Sequence, residues 1–222
     1  MSTLAMRKPH ADRGMEGMVA KWYAANTAEM MKEYVDLAQR IAGEIPVGSA
    51  VLEVAPGPGY FSIELAKLGS YTITGLDLSR TFVKIASKKA EEAGVRVDFR
   101  QGSASNMPLL KDSFDFLLCR AAFKNFANPV GALREMCRVL KPGGHGLIID
   151  LKRNASPETI SHHVDGMGLT WFNRILTKMT FKTMLLKSAY TREEFEQMLA
   201  QAKFSRTSID ESDMGLEISM TK

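Results

Sequence analysis

Apolar and polar positions along this chain follow two rhythms in turn. Between residues 12 and 42, Trp22, Met30, Met31, Tyr34, Leu37, Ala38 and Ile41 recur near helical spacing, and Gly43 and Pro46 close the segment. That pattern predicts a helix. From residue 49 the rhythm becomes a strand followed by a helix, repeated. Strands are predicted over 49–54, 71–76, 95–99, 114–119 and 147–149. A helix over 59–68 turns Phe61, Leu65 and Leu68 inward and ends at Gly69. A second, over 80–93, is capped by Ser79 and stopped by Gly94. A third runs to Leu140 from Asn128-Pro129, with proline in its first turn. Lys141-Pro142-Gly143-Gly144 reads as a turn. The 114–119 strand is almost continuously apolar, as a central strand covered on both faces is. Strand–helix repetition predicts an α/β fold with a mostly parallel sheet and helices on both faces.

The rhythm changes after residue 153. Residues 154–188 carry apolar positions from Met167 to Leu186, interrupted by Gly166 and Gly168, with no strand pattern. Thr191 followed by Glu194 forms a capping box for a helix to about 202. Residues 204–209 and 216–220 then read as two strands joined by a polar turn, an antiparallel pair at the sheet edge. The expected organisation is a single domain over 1–222: an N-terminal helical cap (1–46), a ligand-binding core (47–153), a helical lid insert (154–190), and a last helix with edge strands (191–222). No internal repeat or low-complexity segment is visible.

Composition narrows the class. Hydrophobic residues make up 45% of the chain and charged residues 24%, ordinary for a globular domain large enough to bury a core. No apolar run approaches the length of a membrane span, and the first 20 residues lack the apolar block of a secretory signal. Cys119 in a strand and Cys137 in a helix read as buried thiols of a reducing cytoplasm. The net charge is +4, but within 151–192 Lys152, Arg153, Arg174, Lys178, Lys182, Lys187 and Arg192 face only Glu158 and Asp165. That excess suits a solvated helix face, an anionic substrate, a membrane surface or RNA.

The candidate chemistry lies at the strand ends. The first core strand ends on Glu53, and Ala55, Pro56, Gly57, Pro58 and Gly59 lead from it into a helix. The second strand ends on Asp77. A tight small-residue loop between two strands that each end in an acid suits a ligand containing a nucleoside. The backbone approaches the ligand closely, and the second acid accepts from both ribose hydroxyls.

Further blocks join this pair in order. They are Gly102-Ser103-Ala104 to Pro108, Asp112 to Asp115, and the run from Ala132 through Glu135, Arg138 and Lys141 to Gly144. Together they resemble the class I S-adenosylmethionine-dependent methyltransferases, most closely the small-molecule branch of ubiquinone and menaquinone biosynthesis, over roughly residues 47–220. The resemblance implies a Rossmann-like sheet of seven strands with an antiparallel C-terminal pair. It implies S-adenosyl-L-methionine as cofactor and S-adenosyl-L-homocysteine as product. Ala55, Gly57 and Gly59 would contact the methionine part, and Glu53 would orient the loop. Asp77 would hold the ribose diol, Leu78 would pack on adenine, and Ser103 and Ala104 would meet the adenine edge. Ala55 stands where the family has glycine and Ser103 where it has aspartate. Arg120 would reach the cofactor carboxylate or an anionic substrate. Ser103 also reads as a turn cap, and Arg120 as a surface ion-pair partner.

Methyl transfer from a sulfonium needs alignment and exclusion of water more than acid–base help, and no catalytic group is assigned. The segment after residue 119 lacks the carboxylate of metal-dependent catechol-type enzymes, so no metal is expected. Methylation of a small, partly apolar molecule by direct in-line displacement is the leading expectation, with Tyr23, Phe123 and Trp171 as pocket walls. The alternative is RNA methylation through the basic insert, against which the absence of an appended RNA-binding module weighs. A nicotinamide-dependent oxidoreductase fits the loop only loosely, and a non-catalytic membrane-associated module would use the same basic insert. The insert is also the candidate surface for a homodimer. His162 and His163 lack a third ligand nearby and read as a surface pair.

Overall fold

The computed structural model describes residues 14–27, 31–165 and 186–222. Seven strands form one sheet in the order β3-β2-β1-β4-β5-β7-β6. They are β1 (Ala50–Val54), β2 (Thr72–Asp77), β3 (Asp98–Gln101), β4 (Phe114–Arg120), β5 (Leu140–Leu151), β6 (Arg206–Glu211) and β7 (Gly215–Thr221). The first five pair in parallel, and β7 runs antiparallel between β5 and β6. The helices in chain order are α1 (Gly17–Thr27), α2 (Met31–Glu44), α3 (Tyr60–Leu68), α4 (Arg80–Glu92), α5 (Pro129–Val139), α6 (Pro157–Asp165) and α7 (Arg192–Leu199), with a short turn at Leu186–Ser188.

Alternation along β4 divides the core. Leu117 and Cys119 enter one cluster with Leu133 and Met136 of α5 and Phe195 and Met198 of α7. Phe116 and Leu118 enter the other, with Leu37 and Ile41 of α2 and Phe61 and Leu65 of α3. Both faces of this strand are therefore covered, which is why it reads as continuously apolar. Both cysteines are free and buried.

The predicted caps form. Ser79 Oγ accepts from Phe82 N at 3.0 Å, Asn128 Oδ1 accepts from Gly131 N at 2.9 Å, and the Thr191–Glu194 box closes in both directions. Several expectations need correction. The predicted helix over 12–42 is two described helices, the first beginning at Gly17. Leu68 is 46% exposed, because α3 ends there and Gly69 leads away in extended conformation; Ile63 is buried instead. The third strand begins at Asp98, since Val95 N is spent on Ala90 O, closing α4. The predicted turn at 141–144 is looped out within β5, between the pairs Phe114–Leu140 and Phe116–His145. Gly143 N and Gly144 O both bond the backbone of Lys222, which fixes the loop to the end of β7. The last helix stops at Leu199. Of the 154–190 insert, residues 166–185 lie outside the described part, and so does Trp171.

Candidate functional site

Strand order reverses direction between β1 and β4, and the carboxyl ends of β2, β1, β4 and β5 meet there. In open α/β sheets this crevice is where ligands bind. Each of these strands ends on a charged residue or one position from it: Asp77, Glu53, Arg120 and Asp150.

Glu53 is 3% exposed. Its Oε2 accepts from Ser62 N at 3.1 Å and from the Ser62 hydroxyl. Burial pushes its carboxyl up to about 7, against the Ser62 bonds and the Arg120 charge. Asp77 is buried too. Its Oδ1 accepts from Ser79 N at 2.8 Å and its Oδ2 from Gly57 N at 2.9 Å. Burial raises its carboxyl, and the two backbone donors oppose the rise. Each oxygen keeps a further lone pair, so a cis-diol still finds acceptors here.

The loop between these acids is shaped by φ angles that side chains resist. Ala55, in place of the family's glycine, stands at φ 56°, a conformation costing about 1–2 kcal/mol, and its N–H donates to Leu76 O at 2.8 Å. Gly57 has φ 55° and nothing within 4 Å of where a Cβ would stand. A ligand can therefore come against its backbone. Gly59 is the opposite case. With φ 79°, a Cβ there would lie 2.6 Å from Phe99 Cζ and 2.9 Å from Ala86 Cβ. Gly59→Ala combines backbone strain with overpacking and is expected to cost about 2–4 kcal/mol. Urea unfolding would check this, and a loss below about 1 kcal/mol would contradict the packing argument.

The remaining candidates divide. Leu78 is half-buried beside Asp77, and Ala104 packs against the α5-side core. Ser103 Oγ accepts from Ser105 N at 3.3 Å and lies 3.1 Å from Ser105 Oγ, a local turn arrangement. Arg120 bonds Glu33 of α2 and stacks over the Tyr34 ring at 4.4 Å. Tyr23 packs edge-on against Phe82 at 5.8 Å. Burial raises its phenol, and the charges of Arg120, Asp150 and Asp77 all act on it, which places Tyr23 by the strand tips. Phe123 departs from expectation. It is fully buried among Phe126, Tyr190 and Phe195, so it packs the core rather than walling an open pocket. Two cavities of about 410 Å³ among the described residues lie elsewhere, beside Met107–Leu110 and between α7 and β6, and touch none of Glu53, Asp77 or Arg120.

Three features escaped the sequence reading. Lys124 and Asp150 form a buried ion pair at 2.8 Å, with side chains 5% and 2% exposed. The Lys124 ammonium also donates to Ala121 O, and Asp150 accepts from Lys124 N and Leu151 N. Secondly, the segment before α1 closes over the tip of β2. Ser79 Oγ donates to Met15 O, and Glu16 accepts from Arg80 N and Thr81 N at the N-terminus of α4. Thirdly, Lys152, Arg153 and Arg192 pair with Glu211, Glu194 and Glu196, acids beyond or outside the basic stretch. Part of its excess charge is thereby neutralised.

Residues 52–148 match the family described as "Methyltransferase domain". A ubiquinone biosynthesis O-methyltransferase of Xanthomonas axonopodis pv. citri is 32% identical over 136 residues, 61% of this chain and 55% of that protein. A demethylmenaquinone methyltransferase of Chlorobaculum parvum is 29% identical over 70% of this chain and 66% of its own. The chain spans about half the length of the first curated relatives it matches, from 40% to 55%. Among solved structures, a Methanococcus maripaludis protein provisionally described as an S-adenosyl-L-methionine-dependent methyltransferase superposes with a TM-score of 0.75, 22% identity and 96% coverage of both chains.

Proposed function

We propose, on the premise that residues 52–148 belong to the class I S-adenosylmethionine-dependent methyltransferases, that this protein methylates a small, partly apolar acceptor by direct in-line displacement. The observation that carries the reading is the pair of buried carboxylates, Glu53 and Asp77, flanking a loop open at Gly57. When bound, the cofactor supplies a methyl group already activated by its sulfonium charge. The chain's own part is to bind and orient. Asp77 offers lone pairs to a ribose diol while holding Gly57 N. Glu53 offers a carboxylate to the ammonium of the methionine part. Tyr23 and Tyr34, from α1 and α2, shield the strand tips from water. The names of the quinone-biosynthesis relatives support a small acceptor. Pairing of the basic residues at 152, 153 and 192 weighs against an RNA surface. Incubation with labelled cofactor and a metabolite extract tests this: label is expected in small molecules, and label confined to macromolecules would reject it.

The raised Glu53 carboxyl sets a pH dependence. Its pKa is about 7 in the fold against an ordinary 4.5. Between those values the native state binds more protons than the unfolded chain, so the ligand-free protein loses stability as pH rises. This group contributes about 3 kcal/mol of that loss. A bound ammonium favours the carboxylate, so affinity moves the other way. S-adenosylhomocysteine is expected to bind about tenfold more tightly at pH 8 than at pH 6. Calorimetry at the two pH values checks it, and Glu53→Gln should flatten the difference.

A further inference from the structure

β6 is the outermost strand on its side of the sheet, and among the described residues no strand pairs with its outer edge. The ladder decides which of its backbone groups face outward. Lys222 bonds Gly143 and Gly144 on the β5 side, and Thr221 turns its carbonyl the other way, to Ser205 N at 2.8 Å. Backbone direction alternates along an antiparallel pair. Arg206, Ser208 and Asp210 therefore spend their backbone groups on β7, and Thr207, Ile209 and Glu211 present theirs outward. Arg192 Nη1 agrees with this, donating to Ile209 O at 2.8 Å. The cavity of about 410 Å³ between α7 and β6, with Leu199, Phe204, Thr207 and Ile209 in its lining, leaves space along the same edge.

The side chains of β6 supply a register. Ile209 is its buried residue, so Arg206, Ser208 and Asp210 share the opposite, exposed face. Neither the Arg206 nor the Asp210 side chain has an ion-pair or hydrogen-bond partner among the described residues. Four positions of extended chain separate them by about 13 Å, too far to pair with each other. Asp210 also stands directly across from Glu217, whose own cation is Arg40. Like charges opposite one another on adjacent strands repel. The edge thus carries an acid in want of a cation and an unpaired cation, placed symmetrically about Ser208. Such an edge is complementary to itself turned through half a revolution.

We propose that the outer edge of β6 is the contact surface for a second copy of this chain, the two strands running antiparallel about a two-fold axis at Ser208. Thr207 then exchanges backbone bonds with the partner's Ile209, and Ile209 with the partner's Thr207. The Ile209 carbonyl has a second lone pair for this beside the one Arg192 uses. Arg206 lies opposite the partner's Asp210, and Asp210 opposite the partner's Arg206, in the close, non-hydrogen-bonded positions. A slip of two residues in either direction loses both ion pairs, which fixes the register. The surface is distinct from the 154–190 insert. Two strands, β5 and β7, separate it from β4, so the inference does not depend on the cofactor reading. A single short ladder makes a weak, reversible dimer.

Sedimentation equilibrium of the chain from about 10 μM to about 1 mM tests the proposal. The wild type is expected to dimerise within that range. Arg206→Asp and Asp210→Arg each set like charges opposite one another and weaken association by about tenfold or more. The double variant carrying both keeps the net charge and restores association, which neither misfolding nor a general charge effect would do. Ser208→Cys reads the axis. Opposed Cα atoms there stand about 4.5 Å apart, within reach of a disulfide. Cys119 and Cys137 are buried, so copper phenanthroline is expected to convert this variant, and not the wild type, into a covalent dimer. A wild type that stays monomeric throughout the range overturns the proposal. So does a dimer that the single charge variants leave unchanged, or a double variant that associates no better than they do. The copies then meet on another surface, such as the 154–190 insert.

Discussion

Asp150→Ala lowers the free energy of unfolding by about 3–5 kcal/mol, a fall in melting temperature of roughly 6–20 °C for a chain of this size. The reason is the isolation of Lys124. Its ammonium is 5% exposed and has two partners, Asp150 Oδ1 and Ala121 O. Without Asp150 it stays buried with a single neutral acceptor, and the Lys124 and Leu151 N–H groups lose theirs. Cys119, fully buried nearby, feels both charges. Chemical denaturation measures the loss. Adding Lys124→Met to the Asp150 variant should recover a large part of it, since removing both charges is far cheaper than stranding one. A single variant within about 1 kcal/mol of the wild type would refute the account.

Asp77→Ala weakens S-adenosylhomocysteine by on the order of 10- to 100-fold. Asp77 acts on the ligand in two ways. It would accept from the ribose diol, and it already holds Gly57 N and Ser79 N. Its loss therefore also loosens the loop that the ligand must approach and the start of α4. A stability cost of about 1–3 kcal/mol is expected alongside the loss of affinity. Asp77→Asn keeps one oxygen acceptor and should fall between the two. Calorimetry and thermal unfolding read the two effects separately, and unchanged affinity in the Ala variant would remove Asp77 from the site.

Most of the sheet was legible because its signals are local. The acids at 53 and 77 close apolar runs, and Ser79, Asn128 and Thr191 sit where helices need side-chain acceptors. What escaped depends on residues far apart in sequence. Lys124 and Asp150 are 26 positions apart, and Glu33 and Arg120 are 87 apart. Neither pairing leaves a periodic trace, and a lysine followed by Asn125 reads as a loop rather than as core. Phe123 was misjudged for the same reason: its neighbours Tyr190 and Phe195 arrive from the far end of the chain. The third strand slipped because residues 95–97 alternate correctly, yet the amide of Val95 is consumed by the preceding helix. The charge excess of the insert was counted within a window, while Glu194, Glu196 and Glu211 lie beyond it.

The placement of β7 between β5 and β6 bears on biosynthesis. During translation the outer edge of β5 stays unpaired until residues 215–221 have emerged, and the ladder from His145 to Leu151 forms only then. A nascent chain exposes that edge, with Leu147 and Ile148 beside it, for as long as the ribosome takes to finish. Premature termination anywhere before β7 leaves the outer edge of β5 without its cover, an open strand edge of the kind that pairs with other chains.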